Sequence, residues 1–190
     1  MLYPITPQST RLEPYTWMTD IFSDEELNQL QTRAQGASNP AKVGDNAINS
    51  DIRRSNIDWL HNAPENAWVF EKLAHVAGWV NARYYHFDLT GFGEGLQLTN
   101  YDQSDHGMYG WHQDFNGNIS RKLSLVVQLS DPSEYEGGNL EILHGGNPLA
   151  VRKQRGLVAA FPSFSLHQVT PVVRGTRQSL VAWVSGPTFR

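Results

Sequence analysis

From Gly91 onward the chain is a succession of short apolar or alternating runs, at 96–101, 107–113, 122–129, 138–143, 156–161, 166–172 and 177–184, each bounded by turn residues. Runs this short are strands rather than amphipathic helices, which need ten or more residues to show a 3.6-residue period. Seven or eight of them in close succession predict a β-sandwich or barrel. Gly137-Gly138, Gly145-Gly146 and Arg174-Gly175 supply turns between them.

The first half reads differently. Residues 1–20 look extended or irregular, because Pro4, Pro7 and Pro14 oppose a helix. Ser23-Asp24-Glu25-Glu26 forms a capping box, with Ser23 at N-cap and Glu26 three residues on, so a helix is expected over about 24–34, ended by Gly36. Residues 35–49 are rich in Gly, Ala, Ser and Asn and read as a mobile loop. Residues 51–60 suggest a strand or extended edge. Pro64 opens a second helix whose apolar positions Trp68, Val69, Leu73, Val76, Ala77, Val80 and Tyr84 keep helical spacing, ending near Tyr85 or Phe87. Helices precede strands, so the expected class is α+β. A helical support over about 1–90 buttresses a β-core over about 91–190, together one domain over 1–190.

The β-half carries the chemistry. On a strand, residues two apart point the same way, so His112 and Asp114 can converge on one ion while Gln113 points away. His-x-Asp alone arises often by chance. A second histidine, His167, lies roughly fifty residues later in the apolar run from Phe161 to Val169, and Arg177 follows it. Two imidazoles and a carboxylate can occupy one face of an octahedral Fe(II), leaving positions for substrate and O2. Read as antiparallel neighbours, the strands of His167 and Arg177 would lie side by side. An arginine entering an apolar core needs an anionic partner, and no acidic residue lies nearby in sequence, so a ligand carboxylate is the natural candidate. His106 and His144 read as loop histidines, His61, His75 and His86 carry no metal-like spacing, and Asp102 and Asp105 read as solvated.

Composition removes several alternatives. The chain has no cysteine, which excludes thiolate zinc sites, iron–sulfur clusters, disulfides and thiol catalysis. A net charge of −4 argues against broad nucleic-acid binding, and Arg152, Lys153 and Arg155 read as a solvated basic strip. No run resembles a membrane span or a signal peptide, so a cytoplasmic protein is expected.

With these residues in view, the chain resembles the 2-oxoglutarate- and Fe(II)-dependent dioxygenases, most closely their prolyl 4-hydroxylase-like branch. The resemblance runs from about Leu96 to Pro187 and weakly back to Asp51. It rests on Leu98-Thr99-Asn100-Tyr101, Gly107, Tyr109 and His112-x-Asp114, then on the strand 123–130 followed by Tyr135-x-Gly137-Gly138-x-Leu140. It closes on Phe161-Pro162, His167-x-Val169-x-Pro171, Gly175-x-Arg177-x-Ser179-Leu180 and Trp183. The resemblance implies a double-stranded β-helix of jelly-roll or cupin type. It implies His112, Asp114 and His167 as metal ligands and Arg177 on the distal carboxylate of 2-oxoglutarate. Tyr101, Gln128, Leu140 and Trp183 would complete the cosubstrate pocket, with Thr170 and Ser179 as additional donors. The segment from Gln35 through Arg53 and Arg54 is similar to a substrate-covering lid, with Tyr109 and Trp111 flanking the site. The implied cofactors are Fe(II), 2-oxoglutarate and O2, with ascorbate as reductant. The implied reaction hydroxylates a peptidyl residue, proline foremost, and releases succinate and CO2, which makes a protein or peptide the partner. Two other readings stay open: an oxygenase acting on a small molecule or free amino acid, and a barrel that binds a ligand without turnover. The sequence leaves the oligomeric state undetermined.

Overall fold

A computed structural model describes residues 13–43, 48–115 and 119–188. In chain order its elements are β1 (Thr16–Met18), α1 (Asp24–Gln35), β2 (Asn39–Pro40), β3 (Arg53–Arg54), β4 (Asn56–Leu60) and α2 (Ala67–Val80). Then come β5 (Gly91–Phe92), β6 (Leu96–Asp102), β7 (Met108–His112), β8 (Arg121–Gln128), β9 (Tyr135–Gly137), β10 (Leu140–His144), β11 (Asn147–Ala150), β12 (Val158–Pro162), β13 (His167–Val169) and β14 (Val172–Ser185).

Both expected helices form where their signals lie. The Ser23 Oγ accepts from the Glu26 N–H at 3.3 Å and the Glu26 carboxylate accepts from the Ser23 N–H at 2.7 Å, so the capping box is complete. Pro64 opens a 3-10 turn that leads into α2, and a π-helical turn at Asn81–Tyr85 ends the helical segment. Of the irregular segment over residues 1–20, only 13–20 fall within the described residues, and 16–18 form an edge strand there. Pro4 and Pro7 lie outside them, as do residues 44–47 of the expected mobile loop.

The strands form two sheets. The larger has nine strands, with β1, β12, β8, β14, β6, β4 and β2 side by side and β5 and β9 attached to β14. The smaller runs β11, β10, β13, β7, β3. Leu27 and Leu30 of α1, and Leu73, Val76 and Val80 of α2, pack with Leu98, Leu125 and Leu180 in one apolar cluster. Each such buried side chain contributes roughly 1.5–3 kcal/mol. The opposite face of the larger sheet meets the smaller sheet through Tyr101, Val126, Leu140, Ile142 and Phe161. The order is therefore helices, larger sheet, smaller sheet: a mixed fold with a double-stranded β-helix core.

Two expectations change. The sheets do not close into a barrel. The strands β13 and β14 are not neighbours either: β13 pairs with β7 and β10 in the smaller sheet, whereas Arg177 of β14 pairs with Tyr101 of β6 in the larger one. Pro171 stands between them, in the two residues that carry the chain from one sheet to the other. Among the described residues no helix is long and apolar enough to cross a membrane.

Candidate metal centre

Strand alternation decides what faces the space between the sheets. On β14 the even positions Leu180, Ala182 and Val184 enter the helix-side cluster, and the odd positions Arg177, Ser179, Val181 and Trp183 line a cavity of about 1020 Å³. On β6, Gln97 and Tyr101 face the same cavity. From the smaller sheet come Tyr109 and His112 of β7, His167 and Val169 of β13, Leu140 of β10 and Arg53 of β3.

His112 and His167 are directly paired across β7 and β13, and their ring centroids lie 4.1 Å apart. Asp114 sits just beyond β7, its N–H donating to the Ser163 carbonyl at 2.9 Å. Its carboxylate lies 3.8 Å from His112 Nε2 and 3.5 Å from His167 Nε2. One ligand atom from each of the three residues falls within 4.8 Å of the others, and this is the only such group among the described residues.

Both imidazoles are oriented by the same local device. The Nδ1 of His112 meets the Gly110 carbonyl at 2.7 Å, and the Nδ1 of His167 meets the Ser165 carbonyl at 2.9 Å, each two residues earlier in the chain. A carbonyl only accepts, so each Nδ1 carries a proton and each Nε2 is turned toward Asp114. Burial, followed by the neighbouring His167, pushes His112 down to about 3, so it stays neutral. Burial pushes the Asp114 carboxyl up, but His167, His112 and a 2.7 Å hydrogen bond from Ser124 outweigh it and keep Asp114 ionised. Ser124 is in turn 3.0 Å from Ser163. Two imidazoles whose Nε2 atoms face one ionised carboxylate fit a divalent first-row metal, Fe(II) included.

Arg177 is only 3 % exposed, and no carboxylate lies within ion-pair distance of it among the described residues. Its Nη1 donates to Ser179 Oγ at 3.3 Å, and its guanidinium lies 5.3 Å from the Tyr101 ring centre. Beside it, Lys153 stands 4.4 Å over the Tyr135 ring, its ammonium pushed below the usual lysine range by burial and then by Arg177. A buried guanidinium with a second cation for a neighbour is a site prepared for an anion. Gly138 makes room for it: at φ +57 it carries no Cβ, and one built there would stand 2.9 Å from Arg177 Cδ.

The remaining expected residues divide. Tyr101, Leu140, Trp183, Tyr109 and Arg53 line the cavity. Tyr109 stacks on His112 with ring centroids 3.4 Å apart. Gln128 does not enter the cavity: at the far end of β8 its Nε2 donates to the Arg152 carbonyl at 2.6 Å. Arg54 faces away and holds the Ser50 and His106 carbonyls. Trp111 is 39 % exposed, because strand alternation turns it outward between His112 and Gly110. Arg53 is buried on the expected extended segment. Thr170 serves the backbone, accepting from the Asn139 N–H. Asp102 is not merely solvated: it caps a turn through the Ser104 N–H and accepts from Thr176. The basic strip also proves divided, since Arg155 reaches Asp24 and Asn28 of α1 while Lys153 reaches Tyr135.

Sequence reading missed Ser124, Lys153 and the Glu94–Arg121 fork. Arg121 Nε and Nη2 donate to the two Glu94 oxygens at 2.7 Å each, and its guanidinium lies 3.9 Å from the Trp183 ring centre. The alternation of β8 was a signal for Ser124, which shares a face with Val126. Nothing local marks the other residues.

Residues 96–185 match the model of the 2OG-Fe(II) oxygenase superfamily. A PKHD-type hydroxylase of Synechococcus sp. strain CC9605 is 46% identical over 79 residues, which is 40% of this chain and 36% of the relative. Another, from Idiomarina loihiensis, is 33% identical over 102 residues, or 50% of this chain and 45% of the relative. The chain thus spans less than half the length of these curated relatives. In fold it is similar to a Trichoplax adhaerens prolyl hydroxylase solved with a hypoxia inducible factor peptide fragment (TM-score 0.77, 14% identity, 91% of this chain and 84% of that one). It is also similar to a Pseudomonas putida prolyl-4-hydroxylase (TM-score 0.74, 21% identity, 90% and 92%).

Proposed function

We propose that this 2OG-Fe(II) oxygenase of the prolyl hydroxylase-like kind hydroxylates a peptidyl residue, proline foremost. The observation that carries the reading is one cavity holding both the His112/His167/Asp114 group and a buried Arg177 without a carboxylate partner. His112, Asp114 and His167 would hold Fe(II), and Arg177 would hold the distal carboxylate of 2-oxoglutarate. Fe(II), 2-oxoglutarate and O2 together supply the oxidative decarboxylation to succinate and CO2 and the oxygen atom delivered to a C–H bond, with ascorbate as reductant.

The protein's own part is placement and shielding. The Gly110 and Ser165 carbonyls orient both imidazoles, and Ser124 holds Asp114 ionised toward them. Tyr109 stacked on His112 restrains that ring from the cavity side. Val126, Leu140, Val169 and Trp183 give the cavity apolar walls, which strengthen the interaction of Arg177 with an anion. Asn39, Pro40, Lys42 and Val43 line the cavity, which supports reading their segment as the substrate-covering one. We read the helices and sheets as one domain, supported by the cluster that α1 and α2 share with the larger sheet. A cytoplasmic setting and a peptide partner belong to the same reading, supported by the absence of cysteine and by the peptide complex of the Trichoplax neighbour.

The test is anaerobic addition of Fe(II) and 2-oxoglutarate, followed by succinate measured under air with proline-containing peptides. A visible absorption change on mixing, and succinate that rises with a peptide, are expected. No absorption change and no succinate would remove the reading. A second reading, a small substrate carrying its own charge, is favoured by the buried Arg53.

A further inference from the structure

Arg53 is one of three arginines that line the cavity, with Arg177 and Arg121; Arg121 is forked onto Glu94, whereas Arg53 meets only neutral acceptors. It is 8 % exposed. Its Nε donates to Ser55 Oγ at 2.9 Å and its Nη2 to Gln97 Oε1 at 2.8 Å, both neutral acceptors. Its guanidinium lies 4.5 Å from the centre of the Tyr109 ring, whose other neighbour is His112. No carboxylate pairs with it among the described residues. An arginine has five N–H donors, so two neutral acceptors leave most of its capacity unused. Leaving a guanidinium buried with so little compensation is costly unless an anion arrives.

Its place separates it from the 2-oxoglutarate end. Gln97, which Arg53 holds, pairs with Val181 of β14, four positions from Arg177 and thus ~13 Å along the strand. Arg177 turns to Tyr101 and Ser179, whereas Arg53 turns to Gln97 and Tyr109. Ordinary substrate-contact reasoning would put an apolar or neutral group beside a proline ring. Here the wall one aromatic ring from a metal-ligating histidine is cationic.

We infer that Arg53 is an anion-binding residue for the prime substrate, which presents a carboxylate there close to the carbon that is hydroxylated. The inference rests on the oxygenase reading for what a prime substrate is, but not for the existence of the anion site. The carboxylate can belong to a free amino acid, to a peptide C-terminus or to an acidic side chain beside the target residue. A guanidinium recognises all three through the same planar fork.

Matched probes separate these sources: L-proline against L-prolinamide, peptides ending in proline as free acid against carboxamide, and internal proline flanked by Glu against Gln. Each is titrated anaerobically into protein holding Fe(II) and 2-oxoglutarate. Tryptophan emission is the readout, since Trp59 and Trp183 line the cavity. In at least one pair the acid should bind more tightly by on the order of 10- to 100-fold. Arg53→Gln should erase that preference and leave 2-oxoglutarate binding unchanged, and Arg53→Lys should restore part of it. The inference is overturned if the wild type binds acid and amide alike in every pair, or if Arg53→Gln keeps the preference. The wild-type comparison needs no variant to fold. Repeated without metal, it decides the role of Arg53 even where Fe(II) and 2-oxoglutarate fail to bind, an outcome that would count against the oxygenase reading alone.

Discussion

The two sheets solve opposite problems. In the larger one, β8 is buried nearly from end to end and β14 from Arg177 onward largely so; they run eight and fourteen residues and pair continuously from Ser179↔Gln128 to Val184↔Leu123. In the smaller one, β7 and β13 run five and three residues and pair at only two registered positions, with a bulge between His167 and Val169. The first is a rigid apolar wall. The second is short and irregular, and its backbone carbonyls are free to hold imidazoles instead of continuing a ladder. The two histidines therefore belong to the weakly built sheet, while the strongly built one supplies stability and the anchors Arg177 and Ser124.

That division can be broken first at the ligands. His167→Ala should abolish metal binding and bring succinate to background in the assay above, while the thermal melt of the metal-free protein shifts little, because the smaller sheet contributes few core contacts. A collapse of the fold would mean that the division is false. Arg177→Gln comes next. Removing one partner of a buried charge contact costs roughly 2–5 kcal/mol, so the 2-oxoglutarate KM should rise by about 30-fold or more with metal affinity intact, as measured by succinate kinetics and metal titration. From the other side, Leu180→Ala should cost about 2–5 kcal/mol in denaturant unfolding yet leave metal affinity within a small factor. Ser124→Ala crosses the boundary, since a larger-sheet residue there holds a ligand of the smaller. Metal affinity should fall by roughly 10- to 100-fold with little loss of stability.

The smallest effect expected is on pH. His112 takes its proton near 6.5 when unfolded and only near about 3 when buried. Between those values the unfolded chain binds more protons than the folded one, so the metal-free fold loses stability as pH falls through that window and is at its best above it. Its melting temperature should be lower at pH 5 than at pH 7, and His112→Gln should narrow the gap.

Legibility followed the same division. The capping box at Ser23, the periodicity of α2 and the long runs of β6 and β8 were plain, because each is a local pattern enforced by burial of one face, but the turn expected at Arg174-Gly175 does not form, since both residues lie within the continuous strand β14. His112, Asp114, His167 and Arg177 were legible as a constellation through spacing and resemblance. The edge strands at Asn39–Pro40, Gly91–Phe92 and Tyr135–Gly137 were not, since two or three residues carry no period. Nor was the crossing of β13 and β14 into different sheets, which depends on pairing partners far apart in the chain. Arg53 was placed at the substrate side and does line the cavity, whereas Gln128, in an apolar run, is drawn away from it by a distant partner, the Arg152 carbonyl.

Gly138 also sets a dimension. The stem of Arg177 rests where a side chain at Gly138 would be, so the depth of the anion pocket is gauged by bare backbone. Any side chain there would meet the Arg177 stem at 2.9 Å and Val172 at 3.0 Å, on a backbone at φ +57 that L residues rarely adopt. Gly138→Ala should thus displace Arg177 and raise the 2-oxoglutarate KM, an effect set at a position outside the cavity lining.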